Sequence, residues 1–295
     1  MENPRLGADG FGNAWLGLSK GGVTMTSAEQ GKAFLGAAGT WGVAGSTYDR
    51  FSAHFADALS HCVQRLAPKP GERVLDVATG TGWSARLAAL RGARVTGLDY
   101  SETLIHSARE IAEGQGLHIT FDVGDAQALP YADGQFDGVM STFGVIFAGD
   151  PVLAARELGR VCRSGGRIAL AVWAREGSVS TLGREVLSKF SPPPTDPAPP
   201  SPYEWGSQVR LQELLGADFE LQFEEASTVL REPDGEAVWE LWQDTHGPTV
   251  SRLSHLDEAT IADYKRAFVA FHERYRTDCG ISMPREYLVV MGTRK

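Results

Sequence analysis

The run Val74-Leu75-Asp76-Val77-Ala78-Thr79-Gly80-Thr81-Gly82 joins an apolar strand to a glycine turn, and a helix begins close behind it. Glycines at such a turn let the backbone approach a ligand closely, and the start of the helix offers N–H groups with no partner inside the helix. Asp99 ends the next apolar run, 19 residues after Gly80. A carboxylate there can accept hydrogen bonds from ribose hydroxyls. Together these features point to a cofactor that carries a nucleoside. The turn alone leaves the cofactor open, because Gly80, Gly82 and Ala85 also satisfy the G-x-G-x-x-G/A pattern of dinucleotide sites. An NAD(P)-dependent oxidoreductase is therefore a second reading. Asp76 opposes it, since a dinucleotide site usually has an apolar residue inside that strand. An acid there can receive the ammonium group of a bound amino acid, directly or through the turn.

The elements that must position these residues follow from periodicity. Tyr48, Phe51, Phe55, Leu59, Val63 and Leu66 recur at helical spacing from Ser46 or Thr47 as cap, and Pro68, Pro70 and Gly71 end that helix. Strands are then expected at 73–77, 94–99, 118–123, 136–141 and 167–173. Helices are expected at 83–91, 101–115 and 151–162. Strands separated by single helices imply right-handed crossovers and a parallel sheet. Between residues 191 and 202, seven of twelve positions are proline, which makes an extended connector. A stiff loop inside one fold explains it better than an adaptor-docking motif, because sheet-like sequence resumes beyond it. A strand at 219–230, helices at 235–243 and 257–276, and a strand at 286–293 complete the pattern.

The chain has 295 residues, 42% hydrophobic and 22% charged, as expected of an ordinary globular protein. Its formal charge is −9, and from Ser201 onward 17 acidic residues face 10 basic ones. That balance disfavours polyanionic substrates, so no nucleic-acid partner is expected. Cys62, Cys162 and Cys279 are odd in number and far apart, which fits neither a disulfide framework nor a clustered metal site. No signal peptide and no membrane span are read, and a cytoplasmic location is the expectation. Residues 1–24 hold six glycines and no sustained periodicity, as in a flexible arm or a stretch upstream of an alternative start at Met25.

Three further motifs follow in order: Gly124-Asp125-Ala126-Gln127-Ala128-Leu129-Pro130, Phe136-Asp137-Gly138-Val139 and Arg163-Ser164-Gly165-Gly166. With them the chain resembles the class I S-adenosylmethionine-dependent methyltransferases, in the small-molecule branch that contains the ubiquinone and menaquinone biosynthesis enzymes. The resemblance is strong over residues 46–173 and holds in outline over the last third. It implies an α/β fold, Rossmann-like, with a seven-stranded mostly parallel sheet, helices on both faces and a helical cap inserted after strand 5. The last two strands would pair antiparallel. It divides the chain into a flexible N-terminal arm at 1–45, a cofactor-binding core at 46–173, a cap at 174–285 that includes strand 6, and a last strand at 286–295.

The resemblance also implies roles by position. Asp76, Ala78, Gly80 and Gly82 would line the methionine part of S-adenosylmethionine, and Asp99 would hold the ribose. Tyr100 and Leu104 would flank the adenine, and Asp125 and Ala126 would meet its edge. Thr142 and Phe143 would border the transferring methyl group. Tyr48 would close over the methionine end, although its place in the apolar stripe fits a structural role as well. Each acid has a plainer reading too: Asp99 as a helix cap and Asp125 as a turn aspartate.

Methyl transfer from a sulfonium is an in-line displacement that needs the nucleophile held opposite the methyl and water kept out, without a metal. His246 is a candidate base for an acidic acceptor, against a competing role as a polar residue that ends a helix. His272 reads as a surface position of an amphipathic helix. The cysteines lack the paired arrangement of arsenic chemistry. The expected acceptor is a small, apolar or aromatic metabolite. Part of the apolar stripe Ile261, Tyr264, Phe268, Phe271 and Tyr275, with Val238, Trp239, Leu241 and Trp242, would line its pocket. Binding of S-adenosylmethionine without methyl transfer, by a regulator or a cyclase, is the remaining alternative.

Overall fold

A computed structural model of the chain describes residues 39–191 and 199–295. The expectations for residues 1–24, and most of the proline-rich connector, lie outside the described residues. Helix α1 (Tyr48–Ala53) and helix α2 (Ala56–Leu66) precede strand β1 (Arg73–Val77). Helix α3 (Trp83–Ala89), β2 (Arg94–Asp99), α4 (Glu102–Gly114), β3 (Thr120–Val123), β4 (Phe136–Thr142), α5 (Pro151–Val161) and β5 (Cys162–Trp173) follow. Then come α6 (Ser178–Glu185), α7 (Gln208–Leu215), β6 (Phe219–Glu232), α8 (Gly235–Thr245), α9 (Gly247–Leu253), α10 (Glu258–Glu273), β7 (Arg276–Thr277) and β8 (Gly280–Arg294).

The sheet runs in the order β3-β2-β1-β4-β5-β8-β6, and the short β7 pairs with β8 as an eighth strand. Strands β1 to β5 are parallel, and β8 is antiparallel to both β5 and β6. The expected mostly parallel sheet with an antiparallel last pair is therefore present, one strand larger than expected. Helix α2 buries Ala58, Leu59, Cys62, Val63 and Leu66 against one sheet face, and α5 buries Ala154, Ala155, Leu158 and Val161 against the other. The central strands are buried on both faces, which is why β1 and β5 read as continuous apolar runs.

Several boundaries depart from the sequence. The single helix expected from Ser46 is two, because Phe55 takes φ −137° and ψ 29° ahead of α2. The break directs Phe51 and Phe55 into one aromatic group, with ring centroids 5.5 Å apart. The Ser164-Gly165-Gly166 turn is a bulge inside β5, where the register on β4 steps from Phe136↔Cys162 to Gly138↔Arg167. Helices α6, α7 and α9 were not foreseen.

Two assigned segments are corrected. Residues 39–45, placed in the flexible arm, include a helical stretch at 39–42 that packs on the core. A Cβ at Gly42 would lie 2.5 Å from Ser101 Oγ, and one at Gly247 would lie 2.7 Å from the Trp41 carbonyl, so both approaches depend on glycine. The last strand begins at Gly280, six residues earlier than the assigned return at 286. Pairs from Ser227↔Glu286 to Glu232↔Ile281 carry β6 and β8 past Trp173↔Tyr287, the last pair with β5. That two-stranded ribbon extends beyond the carboxyl edge of the sheet. Helices α8 and α10 lie on it and form a third apolar cluster with Leu230, Val238, Trp239, Tyr264, Phe268 and Met283.

Candidate functional site

Asp76 lies inside β1, fully buried, and its Oδ2 accepts from Thr79 Oγ1 at 2.6 Å. Its Oδ1 has no hydrogen-bond partner among the described residues. Burial pushes the carboxyl up to about 7 against the pull of that bond and of the Ala85 backbone N–H, and the charge of Asp99 adds to the rise. Leaving a buried oxygen unmatched costs about 1–3 kcal/mol, so Asp76 stands ready for a cationic or N–H partner.

The chain then reverses through left-handed conformations at Ala78 (φ 55°), Gly80 (φ 57°) and Gly82 (φ 80°). The glycines take these angles at little cost, whereas Ala78 is held there by its surroundings. A Cβ on Gly144, just past β4, would lie 2.5 Å from Ala78 Cβ and 2.7 Å from Ala78 O. The loops after β1 and β4 thus touch backbone to backbone through Gly144, a position that sequence reasoning missed.

Asp99 closes the turn from the other side. Its Oδ2 accepts from Gly80 N–H and its Oδ1 from Ser101 N–H, both at 2.9 Å. Burial pushes the Asp99 carboxyl up to about 6. The helix-cap reading of Asp99 does not hold, because Ser101 Oγ caps α4 by accepting from Leu104 N–H. Leu104 is buried one turn along α4, and Tyr100 follows Asp99 with its hydroxyl pKa raised by burial and then by Asp99.

Tyr48 lies over the turn, 3.3 Å from the position of a Cβ on Gly80, and burial followed by the charge of Asp99 raises its hydroxyl pKa. Its neighbour Asp49 is a second residue that sequence reasoning missed. Asp49 Oδ1 accepts from Thr81 Oγ1 at 2.8 Å and from Arg86 Nη2 at 3.0 Å, and Arg86 Nη1 donates to Thr81 O at 2.6 Å. This network fastens α1 to the glycine turn.

Thr142 ends β4, with its Oγ1 3.0 Å from Ser84 Oγ at the start of α3. Phe143 follows at φ 58° and stacks on Trp173 with centroids 3.9 Å apart, while Phe55 and Tyr287 meet it at steep angles. Asp125 and Ala126 sit just past β3. Asp125 Oδ1 accepts from Gln127 N–H at 2.9 Å, which is the turn-aspartate geometry, and both its oxygens accept from Gln127 Nε2. The structure therefore brings Tyr48, Asp76, Ala78, Gly80, Gly82, Asp99 and Thr142 around one turn at the carboxyl edge, with Tyr100, Asp125, Ala126 and Phe143 on the adjoining loops and Leu104 in the first turn of α4.

His246 joins α8 to α9, as its helix-ending reading requires, with Nδ1 2.8 Å from Thr249 Oγ1. Trp41, Phe51 and Trp242 enclose the ring at centroid distances of 5.6, 5.0 and 4.3 Å. Burial, with the charge of Arg252, pulls its pKa down to about 3. A base works best near the operating pH, so this imidazole is poorly suited to accept a proton. His272 corrects another expectation: it is fully buried against Phe268, because the apolar stripe of α10 is wider than the sequence indicated.

With this geometry in view, comparison with known proteins decides the family. A methyltransferase-domain model matches residues 75–170. A protein of Mycobacterium tuberculosis with no characterised function is 35% identical over 231 residues, covering 77% of this chain and 82% of that protein. The demethylmenaquinone methyltransferase of Corynebacterium kroppenstedtii is 37% identical over 131 residues, 44% of this chain and 55% of the relative. This chain belongs to the class I S-adenosylmethionine-dependent methyltransferases. The methyltransferase shares its fold with the YcgJ protein of Bacillus subtilis, at a TM-score of 0.57 and 18% identity over 81% of this chain and 98% of the other. Its cofactor is S-adenosylmethionine, so the oxidoreductase reading that Asp76 opposed is set aside. No metal-binding cluster and no membrane-crossing helix occur among the described residues.

Proposed function

We propose that the enzyme methylates a small, apolar or aromatic metabolite, with the cofactor seated on the glycine turn and the acceptor under the helical layer of α8–α10. The observation that carries the cofactor assignment is the pair of buried carboxylates, Asp76 and Asp99, 100% and 97% enclosed on either side of Gly80. Asp76 Oδ1 offers an unmatched acceptor to the ammonium group. Asp99 offers the remaining lone pairs of its oxygens to the ribose hydroxyls, while the N–H groups of Gly80 and Ser101 keep it in place. Tyr100 and Leu104 flank the adenine, Asp125 and Ala126 face its edge, and Ala78 and Gly82 shape the turn around the methionine part. Bound there, S-adenosylmethionine supplies an electrophilic methyl group.

The protein's remaining work is to orient and to dry the site. Tyr48 covers the turn, and Thr142 and Phe143 border the position of the methyl group. Trp41, Phe51, Trp242 and His246 form an aromatic wall between the turn and the helical layer. Such a wall favours flat or apolar acceptors and excludes water. Two measurements test the reading together. A screen of metabolites with isotopically labelled cofactor should transfer label to apolar or aromatic acceptors. Calorimetry with S-adenosylhomocysteine should show Asp99→Ala weakened by more than about 1 kcal/mol, since hydrogen bonds to a charged group are each worth about 1.5–3 kcal/mol. Unchanged affinity in a folded variant removes Asp99 from the ribose.

A further inference from the structure

One face of β8 carries a charge among apolar side chains. Ile281, Met283, Arg285, Tyr287 and Val289 share that face by the two-residue period of a strand. Ile281 and Met283 belong to the apolar cluster of the helical layer, and Tyr287 and Val289 to the cluster beneath α2. Arg285 stands on the seam between the two clusters and is only 6% exposed. Its guanidinium lies 5.7 Å from the centroid of Phe55, and Nη2 donates to the His54 carbonyl. Its Nε–H meets no acceptor among the described residues. Asp57, whose charge reaches it, makes no hydrogen bond to it; Asp57 Oδ1 instead accepts from Thr228 Oγ1 and Ala58 N–H.

A second unmatched atom belongs to the same seam. His272 on α10 is fully buried, and its Nδ1 lies 2.8 Å from the Phe268 carbonyl. A carbonyl only accepts, so the proton is on Nδ1 and Nε2 carries a lone pair. That Nε2 has no donor among the described residues. Burial, joined by the charge of Arg285, favours the neutral ring against the pull of the Phe268 carbonyl. Trp242 packs against both clusters and closes the seam. A buried guanidinium short of partners is a burden that an apolar side chain of similar size would lift, so folding gives no reason for it. The position supplies one. Phe55, whose ring Arg285 covers, meets Phe143 at 5.6 Å, and Phe143 stands at the methyl-donor end of the site. Arg285 therefore lies one aromatic ring beyond that end.

We propose that this seam is the far end of the acceptor pocket and selects an aromatic acid with a hydroxyl beside its carboxylate. The carboxylate accepts from Arg285, and the hydroxyl donates to His272 Nε2. The proposal rests on the methyl-transfer reading above and narrows its acceptor. Calorimetry on the full chain saturated with S-adenosylhomocysteine tests it, with 3-hydroxy-2-naphthoate, 2-naphthoate and 3-hydroxy-2-naphthamide as probes. The hydroxy acid should bind about tenfold or more tightly than its amide, and the hydroxyl should strengthen binding over plain 2-naphthoate. Arg285→Met should fold and erase the preference for acid over amide, and His272→Leu should erase the gain from the hydroxyl alone. An amide that binds wild-type protein as tightly as the acid overturns the proposal without any variant. So does an Arg285→Met protein that keeps the preference, or one that does not fold, since the charge would then serve the fold. Affinity for S-adenosylhomocysteine separates the two readings: its absence in wild type defeats the cofactor site, whereas its presence without an acid preference defeats the seam alone.

Discussion

A carboxylate serves a ribose or an ammonium group best while it is ionised, yet burial pushes Asp99 up to about 6 and Asp76 up to about 7. On the proposed placement of the cofactor, binding on these acids releases protons, and affinity should rise with pH across this window. We expect affinity for S-adenosylhomocysteine to fall about tenfold or more from pH 8 to pH 5.5, as both acids take up protons. Asp99→Asn should bind more weakly and lose the lower part of that dependence. A flat profile in wild type would place both acids outside the binding event. Stability is a poorer probe because its contributions have opposite signs. The raised carboxyls contribute stability that is present below their ordinary range and lost as pH rises through 6 and 7. His246 and His272, pulled down by burial to about 3 and 4, contribute stability that is present above pH 6.5 and lost as pH falls. Asp76, Gly80, Gly82 and Asp99 were legible in the sequence because a strand, a turn and the next strand fix their spacing locally. Asp49 and Arg86 were not, since the bonds that Asp49 accepts join residues 32 and 37 positions apart. Arg285 and His272 were hidden because a polar residue at a periodic position reads as surface until a third layer covers it.

Among the elements, the two loops after β1 and β4 depend on each other through one hydrogen atom at Gly144. Its φ is −100°, which any residue tolerates, so the constraint is the space taken by Ala78 and not the backbone conformation. Gly144→Ala should therefore push the loops apart, lower cofactor affinity about tenfold and cost about 1–3 kcal/mol of stability, as overpacking does. Gly149→Ala is the control, because a Cβ there would meet only Gln127 Oε1, at 3.6 Å. Equal effects of the two substitutions, in titration with S-adenosylhomocysteine and in thermal melts, would refute the contact. Elements with a locally complete signal were readable: β1 and β2 span 73–77 and 94–99, as expected from the sequence. The break between α1 and α2 was invisible because Phe51, Phe55 and Leu59 keep their four-residue spacing through it. The early start of β8 was masked by Pro284 and Arg285, residue types that argue against a paired strand until β6 is seen beside them.

At the scale of the whole molecule, the parallel half of the sheet was legible from alternation alone, whereas the order of the far edge was not, because no local pattern states which strand lies between β5 and β6. That strand is β8, paired with β5 over residues 287–293 and with β6 over residues 281–294. The arrangement has a consequence for biosynthesis. Strand β6 leaves the ribosome before β8 exists, so a nascent chain that has emerged only to α10 holds two strand edges with nothing between them. Such edges invite pairing with other chains and the attention of chaperones. We expect ribosome-stalled chains ending near residue 275 to be cut by protease between residues 205 and 275. Chains displaying β8 beyond the exit tunnel should resist cleavage there, and resistance before β8 emerges would contradict this order. The segment proposed to meet the acceptor thus matures only when its closing strand slides between two neighbours already made.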